Sequence, residues 1–344
     1  MVPEIAAEFL KYAGRDYHGS SPLYERLAPS VAGDPDLIEI ASHGHSQIPN
    51  LFFAAVQYLL IRTFSNEPLA QYYSSLQTIP NSDHELFPTF RDFCIRHRTE
   101  LIETISTRLV QTNEVSRCAY LYPAFATVSK LVGNAPLAML DLGTSAGLHL
   151  RWDKYAYDYG AGRMYGEVGS PVTIKSELRG NRVPELNVAR MRIASRIGID
   201  LRPIRPDEQD EIKWLEALIW PEHEWRRRLL RKAVSIAEQE QSHVTLLAGD
   251  IAAILPTVLD SLPKNVIPCV FQTHTWRDLS DGTKSRLAIT LEKFGARQQL
   301  FFISALGQLT LKSFAPAERR TWTLANCEQH GRWIEWLAGN LRDS

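Results

Sequence analysis

Leu137-Ala-Met-Leu-Asp141-Leu-Gly143-Thr-Ser145-Ala-Gly147-Leu-His-Leu150 joins an apolar run to a series of small residues. Its apolar run ends in an acidic residue and predicts a buried strand, and the small residues after it predict a tight turn. We expect a helix to begin at about Ala146. A strand, a glycine-containing turn and a helix N-terminus form a cofactor site in α/β proteins, because the backbone approaches the ligand closely and presents free N–H groups to it.

The spacing Asp-x-Gly-x-Ser-x-Gly resembles the acidic-x-Gly-x-Gly-x-Gly loop of S-adenosylmethionine (SAM) methyltransferases, with Ser145 at the middle glycine. A dinucleotide fingerprint is excluded because Ser145 and Leu148 stand where its second and third glycines belong. A P-loop is excluded because no Gly-Lys-Ser/Thr follows. Two alternatives stay open: the Gly-x-Ser-x-Gly nucleophile elbow of serine hydrolases, and a turn that packs a helix on the sheet without a ligand.

The position of the motif along the chain favours the cofactor loop. A hydrolase elbow follows several strands, and one of these is followed by a loop that donates an oxyanion N–H. Here the pattern before Leu137 is helical and contains no His-Gly-Gly loop, whereas material for at least four strands follows. The motif therefore predicts the first strand of a sheet.

Composition is typical of an ordinary soluble enzyme. The chain of 344 residues has a net charge of −1, which gives no electrostatic footprint for nucleic acid. Its four cysteines lie far apart, without a Cys-x-x-Cys pair, and are expected to be reduced and buried rather than metal ligands. The N-terminus is not that of a signal peptide, and no apolar run approaches the eighteen or so residues of a membrane span. We therefore expect a cytoplasmic protein that binds no membrane; the sequence leaves its oligomeric state open.

Residues 1–125 are predicted to form a helical N-terminal cap or lid domain. Leu51–Ile61 is apolar nearly all round, as in a buried helix, and further helices are expected over Phe87–His97 and Leu101–Val110. The polar segment Gln111–Cys118 is either a helix start capped by Asn113 or Thr112, or a patch turned toward the cofactor site.

Residues 126–344 alternate strands with helices, which predicts a mostly parallel, doubly wound α/β sheet of the Rossmann-like methyltransferase type. An inserted β-ribbon is expected around 153–180. The predicted elements are strands at Leu137–Leu140, Ile199–Ile204, His243–Leu247, Val266–Phe271 and Gln299–Ser304, helices at Ile212–Ile219, Glu222–Glu240 and Ser280–Phe294, and antiparallel strands at Thr321–Leu324 and Trp333–Leu337.

Several motifs together resemble one bacterial family. They are Gln111-Thr-Asn-Glu114, Gly143–Leu150, Asp153–Gly160, Gly198–Pro203, Leu218–Pro221, Gly249-Asp250 and His330–Trp336, in that order. The chain resembles the uncharacterised bacterial domain-of-unknown-function family 2332 over nearly its whole length. The resemblance implies a methyltransferase-like fold and carries no established reaction. The chain has Asp141, His149 and Arg205 where the family pattern has glutamate, asparagine and an acid.

SAM requires particular protein groups around it, and residues at the predicted strand ends could supply them. Gly143, Ser145 and Gly147 would let the backbone approach the methionine end, and Asp141 would bind its ammonium; capping of the loop is the alternative for Asp141. Ribose hydroxyls require a carboxylate after the second strand. Arg205 stands at the obvious place, which leaves Asp207, or Glu177 if the ribbon supplies that strand. Asp250 would accept from the adenine amino group, or cap a helix.

The acceptor would lie beyond the strand ending at Phe271. There His274 could take a proton near neutral pH, although a structural histidine is the commoner case. Asn113, Glu114, Arg117 and Tyr157 are predicted to line the acceptor site, with a buried aromatic ribbon as the alternative for Tyr157. No basic footprint and no Asn/Asp-Pro-Pro-Tyr signature is present, so a small-molecule acceptor is expected.

The sequence thus predicts a SAM-dependent methyltransferase, without a metal. Two alternatives remain. In a serine hydrolase, Ser145 would be the nucleophile, with His274 or His330 as base and Asp250 or Asp278 as orienting acid. In a non-catalytic binding protein, the fold would persist without turnover.

Overall fold

The computed structural model describes residues 2–77, 81, 84–133, 135–160, 162–186, 188, 191–316, 318–339 and 341. The chain divides into two compact units. The first contains residues 1–112 and 208–228, and the second contains residues 113–207 and 229–344. This division differs from the predicted boundary at residue 125, which would cut through a helix of the second unit. The prediction that the first unit is a lid over the second stays a prediction.

The first unit is helical, as predicted. Its helices are α1 Val2–Tyr12, α2 Pro22–Ala32, α3 Pro35–Ala41, α4 Ile48–Arg62, α5 Leu86–Arg96, α6 Arg98–Thr107 and α8 Gln209–Ala217. Apolar side chains bury α4 on every face. Its one buried amide, Gln57, donates to the carbonyls of Ala217 and Ile219 at 2.8 and 2.7 Å, so that the polar group is satisfied inside this core. Helix α9, Glu224–Gln239, begins in this unit and ends in the second.

The second unit is built on a large, mostly parallel sheet. Its strands are β1 Leu137–Leu142, β2 Ala156–Asp158, β3 Met164–Gly166, β4 Thr173–Lys175, β5 Glu177–Arg179, β6 Ile193–Asp200, β7 Thr245–Ala248, β8 Ile267–Thr273, β9 Leu300–Ala305, β10 Gln308–Phe314, β11 Arg319–Cys327 and β12 Trp333–Trp336. The large sheet has the order β5-β12-β11-β10-β9-β8-β1-β6-β7, and β3-β2-β4 form a small separate sheet where a ribbon was predicted. The predicted α/β class is confirmed.

The parallel half of the sheet contains a reversal of winding. Strand β1 pairs in parallel with β6 on one side and with β8 on the other; β7 follows β6, and β9 follows β8. The chain therefore runs outward through β6 and β7 and returns to the opposite side of β1. Open α/β sheets bind ligands at the carboxyl ends of their strands beside such a reversal.

The helices of the second unit are α7 Cys118–Leu131, α10 Ile251–Ser261, α11 Thr275–Asp278 and α12 Asp281–Gly295. Helices α10 and α12 form an apolar core with the parallel strands. Its members include Leu140, Ile199, Leu255, Leu259, Val270, Leu287, Leu291 and Leu300. Within the described residues, no helix is long and apolar enough to cross a bilayer.

The prediction of an α-helix directly after the β1 loop is wrong. A 3-10 segment, His149–Lys154, occupies this place and has a non-helical kink at Arg151. Side chains donate hydrogen bonds to backbone carbonyls that would accept backbone N–H groups in an α-helix. Arg151 donates to Gly147 O, and Tyr155, Arg196 and Tyr157 donate to the carbonyls of Leu148, Leu150 and Trp152. The carbonyls of Leu148 and Trp152 also accept the backbone N–H groups of Arg151 and Tyr155, which are the bonds of the tighter 3-10 conformation.

The predicted strand at Ile199–Ile204 is displaced. Strand β6 begins earlier, at Ile193, and ends at Asp200. The chain then bends back, and the N–H of Ile204 donates to Ser145 O at 3.0 Å. Pro203 cannot donate to a strand ladder, which agrees with an end before it.

Candidate functional site

The loop after β1 is held between the two strands that flank it. The N–H of Gly143 donates to Ile199 O at 2.8 Å. Gly143 has φ +76°, and a Cβ there would lie 2.2 Å from Oγ1 of Thr275. On the other side, a Cβ at Gly198 would lie 2.5 Å from the side chain of Thr144. Gly143 is therefore required for packing against Thr275, and the ligand approach at this residue stays a prediction.

Ser145 lies at the tip of this loop in a left-handed conformation, with φ +51°. Its N–H donates to Oδ2 of Asp200 at 2.9 Å, and Oδ1 of the same carboxylate accepts from the N–H of Arg202 at 3.0 Å. Asp200 is the last residue of β6 and is 7 % exposed. The end of the second parallel strand is thus joined to the loop of the first by a buried carboxylate.

Asp141 is a second buried carboxyl at this edge of the sheet. Its Oδ2 accepts a hydrogen bond from Thr144 Oγ1 at 3.0 Å. Burial, with a smaller contribution from the nearby negative charge of Asp200, raises the pKa of Asp141 to about 7; Thr144 and Arg117 act in the opposite direction. A cationic group beside Asp141 would favour its ionised form.

His149 follows the loop and is kept neutral. Its Nε2 lies 2.8 Å from the carbonyl of Glu114, so this nitrogen carries the proton, and Nδ1 lies 3.9 Å from Asp141 Oδ2. Burial lowers the pKa of His149 to about 4. Asn113 contacts the same loop, because its Oδ1 accepts from the N–H of Leu148 at 3.2 Å. The polar segment before α7 therefore contacts the β1 loop.

The start of α7 is capped differently from the prediction. A 3-10 turn, Val115–Arg117, precedes the helix, and the carboxylate of Glu114 caps it by accepting from the N–H of Ser116 at 3.2 Å. Asn113 instead bonds the loop. Capping and loop contact, which the sequence presented as alternatives, are thus divided between two neighbouring residues.

Arg117 and His274 lie at the end of β8. Arg117 is 7 % exposed and donates to Gln329 O at 3.1 Å and to Thr273 Oγ1 at 3.4 Å. His274 has a left-handed backbone, φ +67°, and its ring bonds the backbone of Gln329. Burial and the charge of Arg117 lower the pKa of His274 to about 3. So acidic an imidazolium has a weakly basic conjugate imidazole, and the role of His274 as a proton acceptor stays a prediction.

Backbone strain concentrates at these two strand ends. Among the described residues, three that are not glycine have a positive φ, and Ser145 and His274 are two of them. They follow the neighbouring strands β1 and β8, on either side of the winding reversal. Residues in such conformations cluster at functional sites.

The remaining predicted residues lie in structural contacts. Asp207 is exposed and pairs with Arg205 at 2.6 Å. Asp250 caps α10 through the N–H of Ala252 at 2.8 Å and pairs with Arg286. Tyr157 is fully buried, and its hydroxyl donates to Trp152 O, which agrees with the buried-ribbon alternative; its contact with an acceptor stays a prediction.

None of the predicted triad partners is hydrogen-bonded to Ser145 Oγ in the structure. Ser145 Oγ is buried and has no hydrogen-bond partner among the described residues. Asp278 pairs with Arg277 at 3.4 Å and is exposed, while His330 lies beside Glu328 at 3.6 Å. An elbow requires an exposed Ser Oγ at a strand-to-helix turn, with a base in reach. For metals, the described residues contain no group of three His, Cys, Asp or Glu side chains able to hold an ion.

Comparison with protein-family models matches residues 6–336 to the family described as "Uncharacterized protein conserved in bacteria (DUF2332)". The chain belongs to the DUF2332 family. The match includes the β1 loop and every residue of the site described above. A search of curated proteins found no match to the chain.

In this DUF2332 chain, the residue that sequence reasoning missed is Asp200. The alternation Ile199-Asp-Leu-Arg-Pro-Ile204 was interpreted as one strand, so the acid was sought after Ile204. Pro203 and Arg202, which weaken a strand from that point on, were the available signal. Thr275, which fills the space beside Gly143, has no signal in the local sequence.

Proposed function

We propose that this protein is a SAM-dependent methyltransferase acting on a small-molecule acceptor, with its cofactor at the carboxyl ends of β1 and β6. The observation that carries the proposal is the hydrogen bond between Ser145 N–H and Asp200. It joins a glycine-containing loop after the first parallel strand to a carboxylate at the end of the second. An acid in this position binds ribose hydroxyls in dinucleotide folds.

The strand order supports the same assignment. Numbered in chain order, the parallel strands stand third, second, first, fourth and fifth across the sheet: β7, β6, β1, β8 and β9. This is the order of the first five strands of doubly wound nucleotide-binding sheets. The proposed cofactor position is beside the reversal, where Asp141, Ser145 and Asp200 meet.

The residues present fit the cofactor in two respects. Ser145 Oγ is a buried polar atom without a partner in the described part of the chain, and Asp141, at the end of β1, has a nearly fully buried carboxyl group. A carboxylate oxygen accepts more than one hydrogen bond, so the backbone contacts of Asp200 are compatible with ribose hydroxyls. When bound, SAM would supply an electrophilic methyl group.

In this proposal Asp200 holds the ribose, Asp141 faces the cationic methionine end, and Asn113 fixes the loop through Leu148. His274 acts as a neutral hydrogen-bonding group that orients the acceptor, because its low pKa makes it a poor base. The acceptor must therefore be a nucleophile that needs little help in losing a proton.

Calorimetric titration with SAM and S-adenosylhomocysteine tests the proposal. We expect one site per chain, and a dissociation constant at least about tenfold weaker in Asp200→Asn, since a hydrogen bond to a charged group is lost. Asp207→Asn is the matched control, because this acid is exposed and paired with Arg205. Equal affinity in the two variants, or no heat with either ligand, would contradict the proposal.

A further inference from the structure

Beside the proposed cofactor position lies a buried cation surrounded by polar groups, which we call the Arg117 cluster: Arg117, Ser116, Tyr120 and Thr273. The guanidinium donates to the Gln329 carbonyl and to Thr273 Oγ1. The turn containing Gln329 packs tightly here, since a Cβ at Gly331 would lie 2.2 Å from Ser116 O. The cluster is therefore enclosed by α7, the end of β8 and the β11–β12 turn.

Two hydroxyls of this cluster have no hydrogen-bond partner. Tyr120 OH and Ser116 Oγ are both unpartnered among the described residues, and the two side chains are 0 % and 2 % exposed. Native proteins satisfy nearly all buried polar groups, and an exception indicates a bound water, ion or ligand. The charge of Arg117 acts on the Tyr120 hydroxyl, where it opposes the rise in pKa that burial causes. Arg117 directly precedes α7 with helical backbone angles, and Tyr120 follows three residues later, so the two side chains are neighbours on the helix surface.

Arg117 is the cation of the cluster. Burial and the charge of Arg117 lower the pKa of His149 to about 4 and that of His274 to about 3, so both imidazoles are neutral near pH 7. The carboxyl groups of Asp141 and Glu114 also act on groups of the cluster. Arginine is suited to carboxylates because its planar fork offers several N–H donors at once.

We propose that the Arg117 cluster binds a carboxylate group of a small ligand. The guanidinium supplies the charge, and the hydroxyls of Tyr120 and Ser116 donate to the carboxylate oxygens. Two sources have this chemistry: the α-carboxylate of the cofactor and a carboxylate on the methyl acceptor. The choice between these sources rests on the proposed function, whereas carboxylate binding itself does not.

The first experiment uses acetate as the probe and acetamide as its uncharged isostere, at constant ionic strength and without cofactor. We expect acetate, and not acetamide, to raise the melting temperature, because a ligand that binds only the folded state stabilises it. Tyr120→Phe should weaken acetate binding about tenfold or more. Ser116→Ala should also weaken acetate binding, and it is an independent test because it removes the second hydroxyl.

Tyr122→Phe is the matched control on the same helix. Its hydroxyl is satisfied, since it donates to Leu186 O at 3.0 Å. Tyr122→Phe should lower the melting temperature and leave the acetate effect intact, whereas Tyr120→Phe should not lower it, because it deletes an unpartnered buried hydroxyl. No acetate effect in the parent protein, or an equal effect in Tyr120→Phe, overturns the proposal and leaves ordered water as the explanation.

The second experiment separates the two sources by titrating S-adenosylhomocysteine and 5′-methylthioadenosine, which lacks the amino-acid end. If the cofactor supplies the carboxylate, Tyr120→Phe weakens the first ligand only, and acetate competes with it. If the acceptor supplies it, Tyr120→Phe changes neither ligand, and acetate binds alongside the first. Acetate binding that depends on Tyr120, without binding of either nucleoside, would contradict the proposed methyltransferase function and support the carboxylate site.

Discussion

The backbone N–H of Ser145 lies 2.9 Å from Oδ2 of Asp200, so the loop after β1 is hydrogen-bonded to the last residue of β6. A second hydrogen bond joins the same two segments, in which the N–H of Ile204 donates to Ser145 O. Residue 145 is thereby held on both of its backbone groups by the segment from 200 to 204. The loop is pre-organised by the neighbouring strand and not by a helix of its own.

Replacing Asp200 should weaken the fold as well as the proposed site. Asp200→Ala leaves the N–H groups of Ser145 and Arg202 without their acceptor, and we expect the free energy of unfolding to fall by about 1–3 kcal/mol. Asp207→Ala removes only an exposed ion pair and should change it by about 0.5 kcal/mol or less. Urea denaturation of both variants measures the difference; equal losses would argue against the buried contact.

Ser145→Gly should be tolerated, whereas Gly143→Ala should not. Glycine relieves the left-handed strain at position 145, and the free energy of unfolding should stay unchanged or rise by up to about 1 kcal/mol. At position 143, strain combines with overlap of Thr275, and we expect a loss of about 2 kcal/mol or more. Gly160→Ala is the control: its φ is +82°, but nothing lies within 4 Å of the added Cβ, so it reports strain alone. A loss at Gly143 no larger than at Gly160 would rule out the contact with Thr275.

Asp141 should give the stability a characteristic pH dependence. In the folded protein its pKa is raised from 3.8 to about 7, so unfolding releases a proton between these pH values. Its contribution to the free energy of unfolding is present below about pH 4 and is lost as the pH rises toward 7, with a slope of at most about 1.4 kcal/mol per pH unit.

The variant Asp141→Asn keeps an acceptor for Thr144 and removes this titration. The histidines have the opposite dependence, because their lowered pKa values cost stability as the pH falls below 6.5. They are common to both proteins and cancel in the difference. Thermal unfolding from pH 4 to 8 should show the parent losing stability relative to Asp141→Asn as the pH rises; parallel curves would show that Asp141 titrates normally.

Ser145 should not react as a nucleophile. Its Oγ is buried and has no base bonded to it in the described part of the chain. A serine nucleophile needs an accessible Oγ and an adjacent base for attack on an acyl group. A fluorophosphonate probe should leave the protein unlabelled. Stoichiometric labelling at Ser145, lost in Ser145→Ala, would favour the hydrolase instead.

The sequence was sufficient to predict those helices and strands whose own hydrophobic pattern determines their structure. The apolar run Leu137–Leu140 predicted β1. All six residues of this strand are buried, and a strand buried on both faces is mostly apolar. The all-round apolar helix predicted at Leu51–Ile61 is α4, where both faces pack in a helical core. Such patterns depend on burial, which hydrophobicity reports directly.

The sequence was insufficient where side chains from distant positions decide the backbone. The segment after Gly147 was predicted to be helical, but Tyr155, Tyr157 and Arg196 take its carbonyls, and local propensity contains no record of those contacts. Strand β10 was missed although Leu309 and Leu311 alternate with polar residues, which is a period-two signal that was present. The role of Asp200 followed only once the true end of β6 was known.

Thermal unfolding of the full chain, with and without millimolar S-adenosylhomocysteine, tests directly for a cofactor site at the ends of β1 and β6. A ligand that occupies the folded protein at a hundred times its dissociation constant stabilises it by about 2.7 kcal/mol. We expect a rise of several degrees in the melting temperature of the parent protein, reduced in Asp200→Asn and retained in Asp207→Asn. An unchanged melting temperature in the parent would contradict a cofactor site at the ends of β1 and β6.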